Sequence, residues 1–311
     1  MSWIVPRVPL TRLAVVSLAV LLAAVIAERA VMGDREERRG RASRVMAEGL
    51  AAIREARLAQ GVPFSPDDLG KTGIVGEEMS PLVTTLGSLP AKRLSADPVF
   101  AAIVVDLLER AGVQEGDVIA VGLSGSLPGL NLAVLAAASA IGLDPIIISS
   151  VGASQWGATD PAFTWLDMER ALWERAVVPF RAAAVAVGGG ARGSFLLEDG
   201  EGLARAAIRR SGLPEVSGAT HEEIVARRME VYLTGAGPRA IKAFVNVGGA
   251  SASVRLCDQS RIPPGVVARL PRCTEGSQGV MHRFAAGGVP VIHLLQVNRL
   301  ARRYGIAGKV G

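Results

Sequence analysis

The stretch from Asp117 to Ala140, DVIAVGLSGSLPGLNLAVLAAASA, constrains the fold of this chain more than any other. Val118–Val121 is a short apolar run of the kind that forms a strand buried on both faces. The turn Gly122-Leu-Ser-Gly-Ser126 follows, and then an unbroken run of helix formers begins. Pro128 falls in the first turn of that helix, where its missing N–H costs nothing. Such a strand–turn–helix unit leaves free N–H groups and a positive dipole end at the turn. It delivers Ser124 and Ser126 there, where a phosphate or carboxylate could sit or a serine could be exposed for chemistry.

The pattern recurs. Apolar runs at Pro145–Ser150, Arg181–Val187, Ala240–Val247 and Val289–Val297 alternate with helical periodicity over Val99–Ala111, Pro161–Ala176, Glu201–Ser211, Thr220–Thr234 and Asn298–Tyr304. The helix after Ser126 is expected to stop at Gly142. Alternation of this kind predicts an α/β fold, a mostly parallel sheet with helices on both faces in Rossmann-like layers. Gly61–Pro98 carries five prolines, at 63, 66, 81, 90 and 98, and reads as a long loop. Asp34–Gln60 is charged and helix-favouring, with Met46, Leu50 and Ile53 on one stripe; it reads as a stalk or as the first helix of the domain.

The N-terminus predicts a membrane element. Val8–Ala27 holds one charge, Arg12, and is long enough to span the hydrocarbon core as a helix. Arg7 and Arg12 form the basic flank of a signal or signal-anchor, so an uncleaved single-pass anchor and a cleaved signal peptide are both open. The basic residues beyond it, from Arg29 to Arg44, count against export under the positive-inside rule. The organisation expected is an anchor over 1–30, a charged juxtamembrane helix over 31–61 and an α/β domain over 62–311, extracytoplasmic at the cell membrane. Cys257 and Cys273 flank a proline-rich turn and suit a disulfide in that compartment.

Charge is unevenly placed. The net charge is +5, and residues 261–311 hold eight basic side chains against the single acid Glu275. That favours an anionic partner. Nucleic acid is a poor candidate, because there is no reader motif and aromatics make up only 4% of the chain. There is no P-loop and no glycine fingerprint followed by an acid, so nucleotide binding has no motif behind it.

Parallel sheets bind ligands outside the carboxyl ends of their strands. The residues expected there are small and polar, which predicts one crevice lined by Ser124, Ser126, Asn131, Ser154 and Trp156. Asp160, Asp167 and Glu169 are expected nearby, with Glu77, Glu78 and Lys92 over the mouth. These acids would repel an anionic ligand unless a base or a divalent cation intervenes; no ligand spacing demands a metal, and no other cofactor is indicated. Ser124 or Ser126 is the candidate nucleophile. Ser126 stands where a nucleophile elbow wants glycine, while His282 and His293, with Asp160, Asp167 or Asp258, lie downstream in an order that permits a triad. His221 reads as a helix-start residue.

Several segments also resemble a known family. Gly76-Glu-Glu-Met-Ser80, Leu89-Pro-Ala-Lys-Arg93, Ser124-Gly-Ser-Leu-Pro-Gly-Leu-Asn131, the run from Ile148 to Pro161 and Phe163-Thr-Trp-Leu-Asp-Met-Glu169 occur in the order seen in the poly-gamma-glutamate system protein family. The run ASQWGATDPAFTWLDME is the most specific; Met79 departs from the aromatic expected after Glu78. The resemblance implies a membrane-anchored component of poly-gamma-glutamate biosynthesis or export, with the anionic polymer or the synthase and export proteins as partners. Three classes stay open: a protein that binds the polymer at the crevice, a serine-dependent amide hydrolase or transferase acting on it, and a purely structural scaffold.

Overall fold

The computed structural model describes residues 10–189, 194–254, 262–270 and 278–306, without the side chains at 10–16, 23–27 and 30–31. Both cysteines, Cys257 and Cys273, lie outside the described residues, as does Asp258.

The fold is α/β, built on a mixed sheet that is mostly parallel. Strand β2 (Val118–Ser124) lies near the centre, paired in parallel with β3 (Asp144–Ser150) on one side and β6 (Ile241–Val247) on the other. β5 (Ala184–Ala186) extends the β3 side, and β8 (Val291–Leu294) extends the β6 side. β7 (Gly265–Val267) closes that edge antiparallel to β8, giving the order β5-β3-β2-β6-β8-β7. The chain winds outward from β2 toward β5 and then returns to add β6 on the opposite flank. The topological switch therefore lies between β2 and β6, where a crevice opens beyond the strand ends.

The strand periodicity sorts two cores. Ile119, Val121 and Leu123 of β2 point with Ile147, Ala243 and Val245 into the larger core. α1 (Leu10–Ala59), α3 (Val99–Arg110), α4 (Pro128–Ile141) and α5 (Trp165–Glu174) cover that face. Val118, Ala120, Ile146, Ile148 and Phe244 face the other way, against α7 (His221–Ala236), α8 (Ser251–Val254) and α9 (Val280–Ala286). Tyr232 of α7 fills the centre of this smaller core, and its hydroxyl donates to the Val121 carbonyl at 3.1 Å.

The helix after β2 ends as its sequence requires: Gly142 is left-handed (φ 81) and returns its N–H to the Ala138 carbonyl. α6 (Gly200–Ser211) and α10 (Val297–Arg303) also match helical periodicity in the sequence. The 61–98 segment differs from its expected irregularity. It contains β1 (Val83–Thr85) and α2 (Leu89–Leu94), the latter capped by the Ser88 hydroxyl. β1 is three residues long and exists because it pairs with β4 (Ala153–Ser154), about seventy residues on. A strand this short leaves no readable alternation.

α1 is one continuous helix of 50 residues, about 75 Å long at the usual rise. Its C-terminal part is the first helix of the domain and not a free stalk. Ala42, Met46, Ile53 and Ala56 are buried in the larger core. Arg35 and Arg38 reach Asp106 and Glu109 of α3 at 2.9–3.1 Å. Toward the N-terminus Leu18, Val20, Leu21 and Leu22 are exposed. Among the described residues no helix is long and apolar enough to cross a membrane.

Three backbone segments meet at the turn after β2. Gly125 donates its N–H to the Ser150 carbonyl at 2.9 Å, and its own carbonyl accepts from Ala158 at 2.7 Å. A Cβ at Gly125 would sit 2.3 Å from the Val151 carbonyl oxygen, and one at Gly157 would sit 2.5 Å from the Gly125 oxygen. Only glycine admits this approach. Replacing Gly125 with Ala is therefore expected to lower unfolding free energy by about 1–3 kcal/mol through forced backbone displacement. Urea denaturation of the two proteins at neutral pH measures it.

Candidate functional site

Beyond the carboxyl ends of β2, β3, β6 and β8 lies a cleft of about 730 Å³. Its walls include Ser124 and Ser126 after β2, Gly152 and Ser154 after β3, Gly249–Ser251 after β6, and Leu295–Arg299 after β8. Thr84 to Ser88 and Lys92, from β1 to α2, form a further wall. The small sheet thus carries α2 over the switch point.

Lys92 is the unusual group in this cleft. Only 4% of its surface is exposed. Its Nζ donates to the Ser154 Oγ at 2.7 Å and to the Ser126 carbonyl oxygen. No carboxylate pairs with it among the described residues, and burial pushes its pKa down to about 7. Desolvation disfavours the charged form of an amine. A lysine in this condition is half neutral near pH 7 and can take a proton from a hydroxyl.

Ser154 is well placed to be that hydroxyl. Its backbone N–H donates to the Ser126 Oγ at 3.0 Å, and the Ser126 N–H donates to the Ser124 Oγ at 3.2 Å. Three serines and one lysine therefore form a connected chain at the cleft wall. The Asn131 side chain lies beneath it, fully buried, and donates to the Ser124 carbonyl at 2.8 Å. Trp156 does not line the cleft. Its backbone is left-handed (φ 56), its N–H donates to the Glu77 carbonyl at 2.9 Å, and its ring N–H donates to Asp67 at 2.9 Å. Its carbonyl takes the Gly76 N–H. These bonds pin the 154–157 turn against the 76–77 segment and so position Ser154.

The acids expected around the crevice are engaged elsewhere. Asp160 pairs with buried Arg57 at 2.7 Å. Asp167 closes the capping box of α5 with Thr164 and pairs with Arg210 at 2.7 Å. Glu169 is wholly inside the larger core side, where it accepts from the Ser149 hydroxyl at 2.7 Å; Ser149 in turn accepts from the Trp165 ring N–H at 3.2 Å. Neither Glu77 nor Glu78 is among the lining residues. Among the described residues the charged side chains that line the cleft are Lys92, Arg299 and Arg302, with no carboxylate beside them to repel an anion. No cluster of three or more His, Cys, Asp or Glu side chains is arranged to hold a metal ion among the described residues.

No histidine lines the cleft among the described residues. His293 is fully buried on β8, where its Nδ1 meets the Asn246 side-chain amide at 3.1 Å. Burial lowers its pKa to about 4, so it is neutral at physiological pH. His282 lies on α9 and His221 opens α7. The base that meets a serine is instead Lys92, which local sequence presents only as one of two cations in a proline-led turn. Arg299 and Arg302 lie in the basic C-terminal region, and nothing local marks them as cleft residues.

Glu169 gives a pH signature. Burial raises its pKa from 4.5 to about 7, against smaller opposing effects from the Ser149 hydrogen bond and Arg181. The folded state then holds a proton that the unfolded state releases, so this group's contribution is full below pH 4.5 and is lost as pH rises through 7. Glu169→Gln is expected to flatten the stability curve between those limits, measured by denaturation at a series of pH values.

No family model, no curated protein and no solved structure matches the chain.

Proposed function

We propose that the cleft is the reacting site of a membrane-associated amide hydrolase or transferase of the poly-gamma-glutamate system, with Ser154 as nucleophile and Lys92 as its base. The observation that carries this reading is the 2.7 Å contact between a buried lysine amine of lowered pKa and a cleft-lining serine hydroxyl. Serine–lysine pairs are a known variant of the serine–histidine–acid arrangement. The resemblance of residues 76–170 to that family supplies the substrate class, a polymer with one free carboxylate per unit. Arg299 and Arg302 provide the matching charge at the cleft wall. The exposed apolar side chains of α1 near Leu18–Leu22 support a role for the N-terminal part of that helix as the anchor.

The chemistry follows from the pair. Neutral Lys92 accepts the Ser154 hydroxyl proton as Oγ forms a bond to the amide carbonyl carbon. Collapse of the tetrahedral intermediate breaks the C–N bond, and the departing amine takes the proton from Lys92. Water then attacks the Ser154 ester, giving a proton to Lys92, and Ser154 regains it on release of the acid. An amine in place of water makes the reaction a transfer.

A second reading is a protein that binds the polymer without cutting it. It is favoured by the lining of the cleft, which among the described residues is cationic and free of acids. Incubation with poly-gamma-glutamate separates the two: shortening of the chain supports the enzyme, and retention at full length supports binding alone.

If the enzyme reading holds, Ser154→Ala abolishes shortening, and Lys92→Met lowers the rate by about 10²–10⁴-fold, the usual worth of a general base. The rate of the unaltered protein rises with pH through about 7, as Lys92 loses its proton. Ser124→Ala, which leaves the Lys92–Ser154 contact intact, retains activity. Size-exclusion chromatography of the polymer reads all four.

The anchor is tested separately. A chain beginning at Asp34 keeps the Arg35 and Arg38 pairs to α3 and is expected to leave the membrane fraction with its melting temperature unchanged. Sedimentation and calorimetry check both parts.

A further inference from the structure

A second cavity, of about 230 Å³, opens beside the main cleft and shares Gly189, Ala250 and Ser251 with it. One wall is Arg228 of α7. This side chain is 2% exposed, and among the described residues its guanidinium has one hydrogen bond, from Nη2 to the Ser150 Oγ at 3.3 Å. Its Nε has no hydrogen-bond partner among them. Among the described residues no carboxylate forms an ion pair with it. Burial pushes its pKa below the ordinary arginine value, yet an arginine does not give up its proton in a protein. The charge therefore stays, buried and uncompensated by any carboxylate of the described residues. That is costly unless something else satisfies it.

The other charged walls do not relieve Arg228. Glu201 and Glu215 line the same cavity, but both are clasped by Arg205, at 2.9 and 2.5 Å. His221 stands at the start of α7 and also faces the space. A guanidinium presents a planar fork of N–H donors that a carboxylate matches with two parallel hydrogen bonds. We infer that the second cavity is a carboxylate subsite, in which Arg228 receives the carboxylate of a ligand that reaches it from the main cleft. The inference deepens the proposed function and rests on it only for the identity of the attached chain: the carboxylate on the unit beside the bond held at Ser154. Since Glu201 and Glu215 leave the rest of the wall without excess positive charge, the subsite selects one carboxylate at one place and does not act as a general polyanion trough.

The test is binding of glutarate to the full chain by calorimetry at pH 7, with glutaramide as the uncharged control. Glutarate is expected to bind and glutaramide to bind about tenfold to a hundredfold more weakly, the worth of charge-assisted hydrogen bonds. Arg228→Met loses glutarate affinity by a similar factor, and Arg228→Lys recovers part of it. Glutarate also shifts the Nε–H resonance of Arg228 in the unaltered protein, a readout that needs no variant to fold. Wild-type affinity in Arg228→Met, or an Arg228 resonance that glutarate leaves unmoved, overturns the inference. Competition by poly-gamma-glutamate identifies the polymer as the source of the carboxylate, and lack of competition points to a free small acid at the same subsite. None of these measurements reads turnover, so loss of the enzyme reading and loss of the subsite are separate results.

Discussion

Strand β2 is buried from end to end and carries apolar side chains on both faces, and the remainder of the fold answers that requirement. A strand of this kind cannot sit at an edge or face water. It needs a neighbour on each side and helices above and below. β3 and β6 supply the first; α1, α3 and α4 on one face and α7 to α9 on the other supply the second. Because β3 and β6 arrive on opposite flanks, the chain must reverse its winding direction at β2. The cleft at the end of β2 is thus a geometric consequence of covering that strand on all sides.

The same close packing sets the geometry of the cleft wall. At the turn after β2, backbone from residues 125, 151 and 157 approaches too closely for side chains. This draws the 153–157 segment against Ser126, and pairing of β4 with β1 brings α2 with it. Lys92 is delivered into a place where little of it meets solvent and its hydrogen-bond partners are a serine hydroxyl and a carbonyl. Its lowered pKa is the electrostatic result of that placement: the backbone that holds the amine also removes the solvent that would keep it charged. Arg228 illustrates the contrasting case. An arginine put in a similar position cannot respond by losing a proton, so its charge persists as an unmet demand on whatever enters the adjoining cavity.

The arginines of the chain do two kinds of work. Arg35 and Arg38 fasten α1 to α3, and Arg57 and Arg210 neutralise Asp160 and Asp167. These pairs remove acids from the neighbourhood of the cleft. Arg299 and Arg302 remain on the cleft wall.

Local sequence determined the alternation of strands and helices, the turn at Ser124–Ser126, the stop at Gly142 and the crevice at the strand ends. Each of these depends on periodicity, capping or turn chemistry within a dozen residues. It also placed Ser124, Ser126 and Ser154 together, because all three follow the carboxyl ends of parallel strands. Tertiary structure alone decided which serine the lysine meets, since that depends on a two-strand pairing between residues 83–85 and 153–154 too short to leave a pattern. It alone decided that Asp160, Asp167 and Glu169 are structural, because their partners Arg57, Arg210 and Ser149 lie 103, 43 and 20 residues away. And it alone buried Arg228 with no counter-charge among the described residues, because whether a buried cation has one is a property of the space around it, which no stretch of sequence contains.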